Sequence, residues 1–212
     1  MKASNYKYLI AIIFIFFGEQ IAAEDRIVIN FESPPSLNQE AKLIQNIKNY
    51  NSVQSIENYL MQQNWIENFL IKSSFFGKFH QIFIQSKKPK YVWKDKFYID
   101  SQVSTFAYDG GYPDLIHLNM PLEYLTFWIK AENQYITLFN DLSLTIRSVG
   151  FQPAVGWYLI TSDALRVNLG DELSNDTYQK LSFTLKYMFE NNLTPSIIDL
   201  RYKAGAALNY GK

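Results

Sequence analysis

Hydrophobic and polar positions follow two rhythms along this chain, and each change of rhythm marks an element. Residues 8–18 form an apolar run, with Lys2 and Lys7 before it and Glu19, Gln20, Glu24 and Asp25 after it. Residues 27–31 read as a strand closed by Pro34-Pro35. Ser36 and Gln39 then stand at capping-box spacing, and Leu37, Ala41, Ile44 and Ile47 recur at helical intervals, which predicts an amphipathic helix. Ser52 caps a second helix, in which Val53, Ile56 and Leu60 share a face. Two strands follow at 66–72 and 79–86, rich in β-branched and aromatic residues. The order β-α-α-β-β predicts a small unit whose helices cover one face of a three-stranded sheet, leaving the other face or an edge available.

A second block starts near Tyr91. Short strands are expected at 91–93 and 98–100, followed by a loop with Gly110-Gly111 and Pro113. Pro121 suits the first turn of a helix. Leu122, Leu125, Trp128 and Ile129 give that helix an apolar stripe, which either continues or breaks before Ile136, Phe139 and Leu142. Strands are predicted at 142–149, 156–161 and 164–169, the last two joined by a Ser162-Asp163 turn. Asp176 with Gln179 marks another capped helix, carrying Leu181, Leu185, Met188 and Phe189 on one side. The chain closes with a hairpin, 197–202 and 206–210, around Lys203-Ala204-Gly205. The fold class is therefore α+β: a β-α-α-β-β unit over 27–90, then a β-rich unit with flanking helices and a C-terminal hairpin over 91–212.

Composition narrows the function. Of 212 residues, 48% are hydrophobic and 17% aromatic, which excludes disorder. Twenty basic and 20 acidic side chains cancel, so no electrostatic footprint for nucleic acid exists. Without cysteine there is no disulfide, thiolate nucleophile, iron-sulfur cluster or cysteine-ligated zinc, and His80 and His117 are too few for a histidine cage. No cofactor is implied.

Candidate chemistry is equally thin. His80 lies in a predicted strand between Phe79 and Ile82, and His117 beside Leu115 and Leu118, so both read as packed or surface imidazoles. Asp171 and Glu172 suit a helix start better than acid-base work. Trp65, Trp93, Trp128 and Trp157 read as core. Lys87, Lys88, Lys90, Lys94 and Lys96 around Pro89 read as a solvated strand boundary, with anionic lipid or a partner as the alternative. No nucleophile-base-orienter set can be assembled, so an enzyme is not expected.

Charge orients the N-terminal run: its lysine side stays in the cytoplasm and the remainder is exported. Counted to Ala23 it has roughly 16 residues, or about 24 Å of helix against a hydrocarbon core of about 30 Å. The segment fits a short membrane anchor over 8–23 behind a cytoplasmic tail over 1–7, and Ala22-Ala23 equally fits a cleavable signal peptide.

The terminal hairpin is the candidate binding site. A last strand has one sequence neighbour, and unless another segment covers it, its outer N–H and C=O groups can receive a partner strand. Gly205, Ala206 and Ala207 keep such an edge uncluttered, Tyr202 and Tyr210 offer rigid contact area, and Arg201 offers a fork for a carboxylate. The plainer reading is that small residues let the hairpin complete its own sheet.

Several segments together resemble the FtsQ/DivIB family of cell-division proteins. They are Asn64-Trp65-Ile66, then Phe69, Ile71 and Lys72, then Pro89-Lys90-Tyr91-Val92-Trp93, then Tyr98-Ile99-Asp100 and Phe106. Trp157 with Val167-Asn168-Leu169-Gly170 follows, and last Asp199-Leu200-Arg201-Tyr202 with Gly205-Ala206-Ala207-Leu208 and Tyr210. Order and spacing carry the likeness rather than any single piece. Departures are Asn64 for proline, Ser86 for glutamate, Val103 for glycine, Ala154 for arginine and Asp171 for a basic residue. They bear on the electrostatics of partner binding and not on the fold.

The resemblance implies a POTRA-like domain over 27–90 and an FtsQ-type β domain over 91–212. It implies a bitopic inner-membrane protein at the division septum, with its N-terminus cytoplasmic and its domains periplasmic. It further implies recruitment of the FtsB-FtsL pair by strand addition at Arg201, Tyr202, Lys203, Ala204, Gly205, Ala206, Ala207, Leu208 and Tyr210, with other division proteins on the POTRA domain. The alternative is a POTRA-bearing component of polypeptide export or outer-membrane assembly.

Overall fold

The computed structural model describes residues 26–74, 79–203 and 205–211. The expected tail over 1–7 and the anchor or leader over 8–23 lie outside the described residues. Among the described residues no helix is long and apolar enough to cross a membrane. The chain divides into two compact units, one holding the residues up to Pro89 with Asp100–Tyr112, the other Lys90–Ile99 with the residues from Pro113 onward.

In the first unit β1 (Arg26–Ser33), α1 (Leu37–Ile47), α2 (Val53–Met61), β2 (Ile66–Ser73) and β3 (Phe79–Ser86) follow in the expected order. The sheet order is β1-β3-β2, with β3 parallel to β1 and antiparallel to β2. β3 alternates strictly between half-buried and buried positions, so His80, Ile82, Ile84 and Ser86 share its inner face. Both helices start as the sequence predicts. Ser36 and Gln39 form a reciprocal capping box, and the Ser52 side chain accepts from Ser55 N.

The buried stripe of α1 differs from the expected one. Gln39, Leu43 and Ile47 face inward, whereas Leu37 is 83% exposed and Ala41 is also exposed. Gln39, Leu43 and Ile47 recur every four residues on one face, and Leu37, two positions before Gln39, falls on the opposite face. Ser86 is explained by Ser33: the Ser86 hydroxyl donates to Ser33 O at 2.5 Å, and Ser86 N donates to the Ser33 hydroxyl at 3.0 Å. These bonds close the buried end of the β1–β3 ladder.

The second unit contains β4 (Pro89–Trp93), β5 (Phe97–Asp100), β7 (Ile116–Asn119), α3 (Leu125–Asp141), β8 (Ile146–Gln152), β9 (Gly156–Thr161), β10 (Arg166–Gly170), α4 (Asn175–Glu190), β11 (Ile197–Asp199) and β12 (Ala207–Asn209). Between β5 and β7 in sequence, β6 (Thr105–Ala107) falls in the first unit. The strands of the second unit run β12-β11-β10-β9-β8-β7-β4-β5. Two parallel pairs, β7 with β8 and β10 with β11, are joined by α3 and α4, as parallel neighbours require a crossover.

Several expectations shift here. Pro121 precedes a 3-10 turn, Leu122–Tyr124, and α3 runs unbroken to Asp141. The strand expected at 142–149 therefore begins later, at Ile146, after Ser143 takes a φ of 58°. Ser174, not Asp176, caps α4, its side chain accepting from Thr177 N. Phe189 is 46% exposed, so the buried stripe of α4 is Leu181, Leu185 and Met188. β7 was not anticipated.

These elements enclose one aromatic core, in which Trp128, Tyr135 and Phe139 of α3 are fully buried with Trp157, Leu159 and Val167 of the sheet. Gly156, at φ 78°, lets β9 approach β10 closely, because a Cβ there would fall on the Gly170 carbonyl.

Candidate functional site

β12 is the last strand of its sheet order and, among the described residues, pairs with β11 alone, antiparallel, with Ile197 opposite Asn209, Ile198 opposite Leu208 and Asp199 opposite Ala207. Alternation divides its side chains. Leu208 and Ala206 are partly buried and pack on the core, while Ala207 and Asn209 face solvent. Tyr202 and Tyr210 are 59% and 55% exposed, and Lys203 and Gly205 are exposed as well. Tyr202, Gly205, Ala206 and Ala207 line an open hollow of about 250 Å³. Ala204 lies outside the described residues.

Fixed contacts hold the base of the hairpin. The Ser196 hydroxyl donates to Asn209 O at 3.1 Å and Gly211 O at 2.8 Å. Leu200 N donates to Asn168 O of β10 at 2.9 Å, and Arg201 N to Asp199 Oδ1 at 3.1 Å. The Arg201 guanidinium, expected to await a carboxylate from outside, already grips one inside. Its Nε donates to Asp199 Oδ1 at 2.9 Å and its Nη2 to Oδ2 at 2.5 Å. That hydrogen-bonded partner holds the Asp199 carboxyl below its ordinary range, against the opposing effect of burial. From α4, Lys180 Nζ donates to Leu200 O at 3.0 Å and Tyr202 O at 2.7 Å. Lys180 went unnoticed in the sequence, since nothing local links a helical lysine to carbonyls 20 and 22 residues downstream.

The other candidates are engaged elsewhere. His80 is buried and shares a 2.8 Å hydrogen bond with the Ser73 hydroxyl; His117 pairs with Asp95 at 2.6 Å in the other unit. Asp171 and Glu172 precede the Ser174 cap. Lys90 pairs with Glu132, which also accepts from the Tyr91 hydroxyl. Burial first, then that hydrogen bond and charge, push the Tyr91 phenol far above its usual range. Lys87 donates to Ser104 Oγ at 2.9 Å, and Lys94 lies over the Trp93 ring. Trp65, Trp128 and Trp157 are core, and the half-buried Trp93 donates its indole N–H to Met120 O at 2.7 Å. Among the described residues no group of three or more His, Asp or Glu side chains could hold a metal ion.

The hairpin thus joins an edge strand with small residues to a base fixed by β10 and α4. The chain is similar to the cell division protein FtsQ of Aliivibrio fischeri. Identity is 19% over 166 residues, covering 74% of this chain. The chain spans 62% of that relative's length. No family model matches.

Proposed function

We propose that this chain is a non-enzymatic, bitopic scaffold of the bacterial division machinery, held in the inner membrane by residues 8–23 at the division septum. Its β12 edge recruits the FtsB-FtsL complex by strand addition, linking early and late division proteins, and its first unit serves as a POTRA-like module for further partners. The single observation carrying this reading is the one-sided pairing of β12, whose outer flank has no neighbouring strand among the described residues. Such a flank offers main-chain donors and acceptors in register, and alternate side chains supply selectivity. The distant likeness to a cell division protein supports the cellular role.

The experiment is affinity capture of FtsB-FtsL by the membrane-extracted full chain. Because β11 turns Ile198 toward β10, the Ala207 N–H faces β11 and the Leu208 N–H faces outward. Leu208→Pro should therefore weaken capture more than Leu208→Ala, which keeps that N–H. Tyr202→Ala should cost about 2 kcal/mol if the ring is a binding anchor. Equal capture by Leu208→Pro and Leu208→Ala contradicts strand addition at this position.

A further inference from the structure

β12 and β11 are each three residues long, too short a hairpin to hold its own shape in water. An edge that must order itself while receiving a partner binds more weakly than one already in place. What fixes this edge is therefore part of its binding chemistry. The bend after β11 is tied from three directions: β10 through Asn168 O, its own Asp199 carboxylate, and α4 through Lys180. The first two accept N–H groups. Among the described residues Lys180 alone supplies the carbonyl side, one half-buried ammonium spanning Leu200 O and Tyr202 O. Its helical neighbour Thr184 donates to Lys180 O at 2.7 Å. Among the described residues no carboxylate lies within ion-pairing distance of Lys180, and both hydrogen bonds of its Nζ go to the hairpin base.

We infer that Lys180 is a positioning residue for strand addition: it clamps the Leu200–Tyr202 bend so that Ala207–Asn209 is presented preformed to its partner. This rests on the reading of β12 as a docking edge. Lysine suits the task because its ammonium carries three rotatable donors and so can serve two carbonyls that are not coplanar.

The test compares wild-type full chain with Lys180→Met, which keeps the stem and removes the donors, and Lys180→Arg, which restores donors. Binding to FtsB-FtsL and backbone amide exchange of the free chain are both measured. Lys180→Met should weaken binding about tenfold, equivalent to about 1.4 kcal/mol, with Lys180→Arg recovering most of it. Exchange in the free Lys180→Met chain should accelerate over 200–203 and 205–209 while Gly156–Thr161 stays protected. Wild-type affinity in Lys180→Met, equal losses in both variants, or faster exchange throughout the second unit each overturns the assignment. Absence of binding by wild type overturns the docking reading itself; unchanged exchange in Lys180→Met would then overturn the clamp as well.

Discussion

Arg201 and Asp199, two residues apart at the end of β11, close on each other through three guanidinium-carboxylate hydrogen bonds, two from Nε and one from Nη2. The planar fork of arginine suits this geometry, and it leaves Asp199 mostly shielded, with 15% of its side chain exposed. A partner carboxylate would have to displace Asp199 to reach the same fork. The pair thus belongs first to the hairpin's own architecture.

That arrangement predicts a pH signature. Asp199 binds its proton less readily in the folded chain than in the unfolded one. Its contribution is therefore complete above the unfolded aspartate value of about 3.9, and fades as pH falls through the lower folded value. Asp199→Asn should be less stable than wild type at neutral pH, and the gap should shrink below about pH 4. Urea unfolding of both proteins at neutral and acid pH checks this; a gap independent of pH counts against the assignment.

Ser36 does double work, accepting from Gln39 N at 3.1 Å and donating to the Asp109 carboxylate. Ser36→Ala removes both, and should lower the stability of the first unit by about 1 kcal/mol. The unfolding midpoint in urea should fall with the slope unchanged. A midpoint identical to wild type would show the cap to be dispensable.

Tyr135 is fully buried on α3, and its hydroxyl has no hydrogen-bond partner among the described residues. Burial, and then Tyr178, raise its pKa far beyond its usual value. Removing an unsatisfied buried hydroxyl while keeping the ring relieves a desolvation cost of about 1–3 kcal/mol. Tyr135→Phe should therefore match or exceed wild type in thermal midpoint. A clear loss of stability would reveal a partner for the hydroxyl.

Local chemistry was legible in the sequence, and long-range pairing was not. The Ser36-Gln39 box and the Ser52 cap are decided within four residues, so both helix starts could be read directly. At α4 two adjacent candidates competed, and Ser174 prevailed where the Asp176-Gln179 spacing pointed two residues later. β7 escaped notice because Ile116–Asn119 is a strand by virtue of its parallel neighbours β4 and β8, not by its own pattern. The closing hairpin was legible through its Gly205 turn, but its strands, expected over 197–202 and 206–210, are shorter, Ile197–Asp199 and Ala207–Asn209. Its supports were not: Lys180 and Asn168 reach it from other elements.

Hydrogen exchange of the full chain, measured with and without FtsB-FtsL, tests the docking edge most directly. Strand addition predicts new protection at the outward-facing amides within 206–210, Leu208 above all, together with the shielding of Tyr202. Protection gained elsewhere, with 206–210 exchanging as fast as in the free chain, would contradict it.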